Sequence, residues 1–531
     1  MKVRKVNRGR RALVHTLPAP TGGLNGRDNL LHMAPTDAFV LDNAFPASTS
    51  VDTRGGSLNF STGIPGAVES LEVYTGAAGS KMLAFGAGNI YNVTLGGAVG
   101  AAIASGKTSN KTTSIMFSNA GAQFLLIFSG SDQPLSFDGT TLAGLTITGL
   151  TGSQNTLQGG MAFKGRVFLA QQGQLGFYYL GIGAIQGAAS YFDLQQQSVK
   201  GGSLACITSY SQESGIGPQD YAVFATTEGE YIVYNGTDPS NAATWILVGR
   251  YFGPPPIGRK GFFRFRSDVY FITEEGILSL TQIRQLGDDG SGKGGGDGED
   301  PRTSYLTAKL GRQYTDTLKY QATHGWCGLI YPRSGQLVIN VPLTGATNGA
   351  YQQFVMNTST NAWCTFSKWN ALCWALFNRR AYFGTFDGRV VLADEGVADN
   401  GAAVQSSCRQ AWNTFEDNYG MGEANKQYHA ATFSVRADGA PAISCTVNVN
   451  FQNERPSGST PLGVPSGAAW DTATWDVDDW AGEPDTEQVT IDVGKIGYVA
   501  SIWMTASSLA SKVEWFATRV VFEKLKEVPL Q

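Results

Sequence analysis

The chain has 531 residues, of which 42% are hydrophobic and only 15% are charged. This composition excludes a disordered chain, the length predicts two or three domains, and the small net charge of −4 excludes a protein drawn to nucleic acid or anionic membranes by overall charge. No apolar run reaches the roughly 18 residues of a membrane-spanning helix. The 67 glycines follow no G-x-y period and indicate many tight turns between short strands, so we expect an all-β protein.

The first 19 residues form a basic arm without an acidic residue. No apolar stretch follows the basic start, so we expect no secretory signal. Three roles are open to such an arm: docking on an acidic protein surface, contact with DNA phosphates, or none beyond that of a solvated terminus. Its cationic residues are Lys2, Arg4, Lys5, Arg8, Arg10 and Arg11.

A turn-rich, partly apolar strap follows, PTGGLNGRDNLLHMAPTDAFVLDNAFP, from Pro20 to Pro46. It has no sustained helical period and alternates only briefly. Because its apolar side chains are costly to leave in water, the strap must pack either on its own subunit or on a neighbouring one. We expect the arm and the strap to occupy residues 1–63. The candidate interface residues of the strap are Leu24, Leu30, Leu31, Phe39, Leu41 and Phe45.

One unit then recurs along the chain: an apolar strand, a glycine-containing turn and a second strand, as in KMLAFGAGNIYNV at 81–93. A period of about 40–50 residues with a hairpin in each repeat is typical of β-propeller blades. We therefore predict an irregular propeller of six to eight blades over residues 64–400. The hairpins begin at residues 81, 122, 165, 220, 267, 335 and 380.

A glycine-rich acidic insertion, LGDDGSGKGGGDGEDP, interrupts the predicted propeller at 286–301. Its composition provides no core. Two placements are open: a loop that lines or plugs an internal channel, or a solvent-exposed loop on the outside. The candidate channel residues are Asp288, Asp289, Asp297, Glu299 and Asp300.

From residue 401 the period changes to longer strands, such as YHAATFSVRADG at 428–439 and KVEWFATRVVFEKL at 512–525. We predict a second, sandwich-like β domain over 401–531. Its Trp-rich segment WDTATWDVDDWAGEP at 470–484 is either a carbohydrate platform or an anchor of a core or an interface.

Three motifs mark the N-terminal region: T-G-G-L-N-x-R-D from Thr21 to Asp28, D-A-F-V-L-D-N-A-F-P from Asp37 to Pro46, and an R-G-G turn at Arg54–Gly56. Their order resembles the N-terminus of tail proteins from short-tailed, podovirus-like bacteriophages. The resemblance extends over most of the chain. It includes the hairpin at 81–93, the turn VMNTSTNAWCTF at 355–366 and the Trp-rich segment at 470–484.

The family that the chain resembles is the tail nozzle, also called tail tubular protein. The resemblance implies a β-propeller subunit that assembles into a homo-oligomeric ring, usually a hexamer, below the portal and the head-to-tail adaptor. It also implies a place in the virion tail after assembly in the host cytoplasm. Such a ring conducts double-stranded DNA during ejection without binding it specifically, and it mounts tail fibres or spikes.

The sequence contains no recognisable catalytic or metal-binding motif. Its four histidines are isolated, its six cysteines lack C-x-x-C spacing, and neither H-E-x-x-H nor G-x-S-x-G occurs. We expect no catalytic residue, no metal and no cofactor. The cysteines are expected to be buried thiols, and a disulfide such as Cys364–Cys373 remains open.

These observations predict a non-enzymatic structural protein of the virion, a tail nozzle subunit. The alternative is a propeller-type tail protein that binds a receptor or degrades surface polysaccharide. A host-encoded propeller that serves as a protein-interaction scaffold is a third interpretation. The oligomeric state separates the first hypothesis from the other two, because a nozzle must form a closed ring.

Overall fold

The computed structural model describes residues 12–77, 79–213, 218–286, 301–318, 324–343, 351–415, 424–437, 441–458, 460–461 and 486–525. These residues form 42 β-strands and two single-turn α-helices, α1 (Leu280–Ile283) and α2 (Arg312–Thr315). The chain divides into two compact units. The terminal unit comprises Met1–Leu58, Val355–Ser367 and Asp394–Gln531, and the propeller unit comprises Asn59–Phe354 and Lys368–Ala393.

The N-terminal part of the described chain forms short strands separated by turns. They are β1 (Leu13–Pro18), β2 (Gly23–Leu24), β3 (Asp37–Asp42), β4 (Ala44–Pro46), β5 (Val51–Thr53) and β6 (Ser57–Thr62).

The next part of the chain alternates strands with tight turns. Between β8 and β9 the turn has positive φ at Ala87 and Gly88, 51° and 74°, as a two-residue hairpin of matching twist requires. The strands are β7 (Val68–Gly76), β8 (Gly79–Gly86), β9 (Asn89–Asn92), β10 (Gly97–Ala98), β11 (Thr113–Ser118), β12 (Gln123–Phe128), β13 (Leu135–Phe137), β14 (Leu142–Gly144), β15 (Ile147–Thr148), β16 (Leu157–Phe163), β17 (Arg166–Gln171), β18 (Gly176–Tyr179), β19 (Gly187–Ala188), β20 (Ser190–Asp193), β21 (Leu204–Glu213), β22 (Pro218–Thr226), β23 (Glu230–Asn235), β24 (Ile246–Phe252), β25 (Phe262–Phe265), β26 (Asp268–Ile272), β27 (Ile277–Ser279), β28 (Cys327–Tyr331), β29 (Gln336–Pro342), β30 (Tyr351–Asn357), β31 (Trp363–Phe366), β32 (Ala371–Phe377), β33 (Arg380–Thr385) and β34 (Val390–Ala393).

Seven groups of three or four consecutively paired strands follow one another through the described part of the propeller unit. Five are separate sheets, β7–β9, β11–β14, β16–β18 with β20, β21–β24 and β25–β27, and the other two, β28–β30 and β32–β34, are parts of a larger sheet. The first strand of most blades lies beside the first strand of the next blade: β7 beside β11, β11 beside β16, β16 beside β21, β25 beside β28, and β28 beside β32. Between the fourth and fifth blades, β21 lies instead beside β26, the second strand of the fifth blade. Finally β32 lies beside β7, which closes the ring. The predicted all-β propeller is therefore confirmed, with seven blades.

Each blade buries its faces against the blades on either side. Between the third and fourth blades, Phe177 and Phe224 stack with their ring centroids 4.4 Å apart, and Trp245 packs in the same cluster. Between the first and second blades, Tyr74 meets Phe137 edge to face. Aromatic contacts between sheets thus supply much of the apolar burial that stabilises the ring.

The terminal unit contains two sheets of longer strands. One has the order β4-β5-β42-β37-β40 with β1 on β42, and the other contains β31, β3, β36, β41, β38 and β39 with β2 on β3. Buried and partly buried side chains alternate along much of β37, as expected of sandwich-like packing. The remaining strands are β35 (Ala398–Asp399), β36 (Ala402–Gln410), β37 (Lys426–Ala437), β38 (Ala442–Val449), β39 (Thr460–Pro461), β40 (Thr486–Gly497), β41 (Ala500–Ser508) and β42 (Val513–Lys524).

The unit boundaries differ from the predicted division at residues 63 and 400. The strap is not a separate segment, because β1 pairs antiparallel with β42, from Leu13 opposite Phe522 to Pro18 opposite Ala517, and β3 pairs with β36. Residues 355–367, predicted within the propeller, also belong to the terminal unit. Backbone pairing between residues hundreds of positions apart sets both boundaries, and local sequence patterns carry no record of such pairing.

Candidate functional site

The strap is held in the terminal unit by its polar residues. The Asn25 side-chain amide donates to Asp28 Oδ2 at 2.8 Å and to Asp37 Oδ2 at 2.7 Å, while its carbonyl oxygen accepts from the backbone N–H groups of Arg27 and Asp28. These bonds close the loop between β2 and β3. A buried amide that satisfies both its donors and its acceptor fixes one loop conformation.

The two glycines of T-G-G-L-N are required by close packing. Gly23 has φ of +83°, and a Cβ there would lie 2.6 Å from the backbone nitrogen of Trp363. A Cβ on Gly22 would lie 2.4 Å from Asp37 Oδ1. Any larger residue would push the strap away from β3 and β31.

The R-G-G turn forms a buried ion pair with the C-terminal part of the terminal unit. Arg54 donates through both terminal nitrogens to Asp399, at 3.0 and 2.6 Å, and through Nε to Asn43 Oδ1 at 2.8 Å. A Cβ on Gly56 would lie 2.2 Å from the carbonyl oxygen of Ala398. The bidentate geometry gives this pair both strength and orientation.

The six apolar strap residues have three different environments. Leu24 and Leu41 are 2% and 1% exposed and belong to the core of their own chain. Phe39 and Phe45 are half-buried. Leu30 and Leu31, at the tip of the strap, are 38% and 42% exposed. Of the six candidate interface residues, only these two at the strap tip are exposed.

A second exposed apolar patch lies on the outer strand of the fourth blade. Ile246, Leu247 and Val248 begin β24 and are all exposed. Among the described strands, β24 pairs only with β23, so its other edge is open. An open edge bearing consecutive apolar side chains is a typical surface for pairing with another chain.

The other predicted site residues lie outside the described residues. These are the arm residues Lys2, Arg4, Lys5, Arg8, Arg10 and Arg11, and the insertion residues Asp288, Asp289, Asp297, Glu299 and Asp300. The Trp-rich segment 470–484 also lies outside them.

A polar cavity of about 240 Å³ lies in the middle of the propeller unit, and no sequence motif predicts it. Every blade contributes to its wall. A second cavity of about 400 Å³ shares Arg259, Lys260, Cys327 and Trp374 with it. The wall of the first cavity includes Glu72, Ser114, Gly160, Cys206, Phe262, Cys327 and Trp374.

The loop between β24 and β25 places two cations in these cavities. Arg259 donates to the backbone carbonyls of Ser129 at 2.9 Å and Lys111 at 2.6 Å, with a longer bond to Gln158. Lys260 Nζ lies 3.3 Å from Glu72 Oε1. Burial lowers the pKa of Arg259, opposed by the nearby carboxylate of Glu72. Arg259 therefore fastens this loop to the second and third blades.

Acidic and imidazole groups complete the polar cluster. The buried Glu72 carboxylate accepts from the hydroxyls of Thr112 and Ser114 as well as from Lys260. His324 Nε2 lies 2.8 Å from the carbonyl oxygen of Glu69. Burial, opposed by the hydrogen bond to Glu69 and assisted by the neighbouring cations, lowers the pKa of His324 to about 3. His324 is therefore neutral at neutral pH and donates one N–H to this carbonyl.

The cysteines form no disulfide: all six, including Cys364 and Cys373, are free thiols. Burial raises the pKa of Cys206 to about 12 and that of Cys327 to about 11. Within the described ranges, no group of three or more His, Cys, Asp or Glu residues is placed to hold a metal ion. In the part of the chain that the structure describes, every helix is too short and too polar to cross a bilayer.

No known protein family matches this sequence, and no curated protein is similar to it. Among solved structures, the WD40 β-propeller domain of Doa1 is 10% identical, with 64% of this chain and 96% of that chain covered and a TM-score of 0.39. YCF48 from Cyanidioschyzon merolae is 8% identical, with 66% and 97% covered and a TM-score of 0.31. BBS1N in complex with ARL6DN is 14% identical with a TM-score of 0.27, and the match spans 39% of this chain and only 63% of that one. The propeller fold is established by the ring of seven blades in this chain rather than by these distant similarities.

Proposed function

We propose that the protein is a structural subunit of a bacteriophage tail nozzle, with no enzymatic activity. Copies of the chain form a closed ring, a hexamer, in the virion tail. The observation that supports this is the strap: the residues that carry the resemblance to nozzle proteins, including Gly23, Asn25 and Arg54, hold it in the terminal unit, and its tip leaves Leu30 and Leu31 exposed.

A ring of identical subunits requires two different complementary patches on each copy. The strap tip, Leu30 and Leu31, provides one. The open edge of β24, with Ile246, Leu247 and Val248, provides the other. In the proposed ring, the strap tip of each subunit contacts the β24 edge of the next.

The genome would pass through the hole of the ring rather than along the axis of a single propeller. Arg259 and Lys260 occupy the centre of each propeller and bond to backbone carbonyls and to Glu72. The acidic insertion would line the ring's hole, where negative charge limits phosphate contacts. The basic arm would dock on the head-to-tail adaptor, and the outside of the ring would carry fibres or spikes.

The ring is tested by measuring the mass of the purified chain and imaging it by electron microscopy. The double variant L30D/L31D should remain monomeric, as should I246D/V248D. Leu95→Asp is the matched control, because Leu95 is 95% exposed and lies in neither patch. A wild-type chain that stays monomeric at high concentration would contradict the proposal.

Mixing the two variants gives a sharper test of which patches meet. L30D/L31D retains the β24 edge, and I246D/V248D retains the strap tip, so one intact contact remains between them. The mixture should form heterodimers and stop there. If the mixture stays monomeric while each variant remains folded, the strap tip does not contact β24.

Further experiments address the conduit, the arm and the alternative function. Replacing the five insertion acids with lysine should slow DNA ejection at low salt and less at high salt, because screening weakens the attraction to phosphate. Deleting residues 1–11, which hold all six arm cations and end before β1, should weaken adaptor binding without changing the number of subunits in the ring. Release of sugars from host surface polysaccharide by the purified chain would instead favour a polysaccharide-degrading tail protein.

A further inference from the structure

The central cavities of the propeller unit carry more positive than negative charge. Three cations, Lys111, Arg259 and Lys260, line one of them. Two carboxylates are close to these cations: Glu72, 3.3 Å from Lys260, and Glu69, 3.9 Å from Lys111. The nearby imidazole of His324 adds no charge at neutral pH, since its pKa lies at about 3.

Arg259 is the cation that lacks a counter-ion. Within the described residues, no carboxylate lies within 4.0 Å of its guanidinium, which bonds to backbone carbonyls only. Glu72, the acid that influences it, is already bonded to Lys260, Thr112 and Ser114. A largely buried charge without an opposite charge is costly, so binding an anion beside it would be favourable.

Lys260 has N–H donors that are not directed to Glu72, and its side chain is accessible to such an anion. Its ammonium group has three donors, of which one is directed to Glu72. Its side chain is 28% exposed, so solvent reaches it. Beyond it, the larger cavity has an apolar wall that includes Trp326, Leu372 and Trp374. A cationic group beside an apolar wall is the usual arrangement of a site for a small organic acid or phosphate ester.

We propose that the centre of the propeller binds a small molecule through its oxyanion group, a carboxylate or a phosphate, held by Lys260 and Arg259. The body of the ligand lies in the adjoining cavity against Trp374. In the absence of the ligand, the carboxylate of Glu72 pairs with Lys260. Glu72 therefore competes with the oxyanion of the ligand for Lys260. This site is separate from the two ring-forming patches, and it does not depend on the nozzle function.

The competition by Glu72 predicts opposite effects for two substitutions. Lys260→Met removes the main cation and should weaken binding about tenfold or more, equivalent to about 1.4 kcal/mol. Glu72→Gln frees Lys260 and should tighten binding. Lys164→Met is the matched control, because Lys164 also pairs with a carboxylate, Asp220, but lies outside both cavities.

The experiment is isothermal titration of the full chain with sodium phosphate and, separately, with sodium succinate at constant ionic strength. Saturable binding of either probe that Lys260→Met weakens and Glu72→Gln strengthens supports the site, and the probe that binds identifies the oxyanion. If Lys260→Met does not fold, the double variant E72Q/K260M, which leaves neither charge unpaired, should fold and fail to bind. Absence of saturable binding to the wild-type chain, or equal weakening by Lys164→Met, would overturn the proposal.

Discussion

The ring of Phe39, in the strap, lies over the guanidinium of Arg409, with 4.7 Å between the guanidinium carbon and the ring centroid. Trp412 and Trp503 contact the same guanidinium, at 5.2 and 4.9 Å. Burial lowers the pKa of Arg409 to about 10, which leaves it charged at neutral pH. The strap strand β3 is therefore joined to β36 by a cation–π contact in addition to backbone pairing.

Phe39→Leu should lower the free energy of unfolding by about 1 kcal/mol, because it retains an apolar side chain but loses the cation–π contact. In an Arg409→Met background the same change should have little effect. A double-mutant cycle from denaturant unfolding measures this coupling. Phe45→Leu, another half-buried strap phenylalanine, should show coupling to Arg409 below about 0.5 kcal/mol. Equal coupling for both phenylalanines would contradict a specific contact.

Asp399→Asn should destabilise the protein by about 3 kcal/mol, because it removes the carboxylate that forms the bidentate ion pair with the buried charge of Arg54. The Arg54 side chain is 0% exposed and that of Asp399 is 19% exposed. The exposed pair Asp387–Arg389 provides the control, and Asp387→Asn should cost less than about 1 kcal/mol. Thermal and denaturant unfolding would measure both. Equal losses of unfolding free energy in the two variants would show that the Arg54–Asp399 pair stabilises the protein no more than an exposed ion pair does.

The thiols should react slowly with a disulfide reagent at pH 8 and completely after unfolding. Only the thiolate is nucleophilic, and burial holds the pKa values of Cys206 and Cys327 far above this pH. Cys327 and Cys445 are partly exposed and should react before the four buried thiols, so the double variant C327S/C445S should remove the earliest phase. The measurement is the rate of colour release with and without denaturant. Rapid labelling of the folded protein at several cysteines would contradict the observed burial.

Acid should destabilise the propeller unit through His324. Its folded-state pKa of about 3 lies below the ordinary value of 6.5, so between these pH values the unfolded chain binds a proton that the folded chain does not. The free energy of unfolding should therefore fall on acidification below pH 6.5, and His324 accounts for at most about 1.4 kcal/mol of this loss per pH unit. Above pH 6.5, His324 makes no contribution to the pH dependence of the unfolding free energy. His324→Gln, which can still donate to Glu69, should flatten the profile.

The control for this pH experiment is His32→Gln, since His32 is exposed in the strap. Unfolding free energies between pH 7 and pH 4 are compared for the wild type and both variants. His32→Gln should keep the wild-type profile. If His324→Gln keeps it as well, His324 is not the source of the acid sensitivity.

Local patterns were sufficient to find the propeller, because hairpins are local. Each of the seven predicted hairpins corresponds to the second and third strands of a blade, as with β8 and β9 for 81–93. Some first strands, such as β16 (LQGGMAF), have glycines where other strands have apolar side chains. In β16, a Cβ on Gly160 would lie 2.5 Å from the carbonyl oxygen of Phe168. Such packing removes the apolar alternation that marks a strand.

The distribution of the chain between the two units could not be predicted. β31 pairs with β3, and Asp42 and Thr365 in these strands are 323 positions apart. The central site was equally hidden, because Arg259 and Lys260 belong to a loop without a motif, and their partners lie on other blades. The strap motifs, in contrast, are visible in the sequence because glycine and asparagine are needed where backbones meet closely.

The pairing of β1 with β42 places the earliest described strand beside the latest one. On the ribosome, the propeller can close while translation continues, but this sheet must wait for residue 524 to emerge. A chain terminated before β42 would leave β1 without its strand partner, and β37 would pair only with β40 among the described strands. Completion of the terminal unit therefore depends on synthesis through β42.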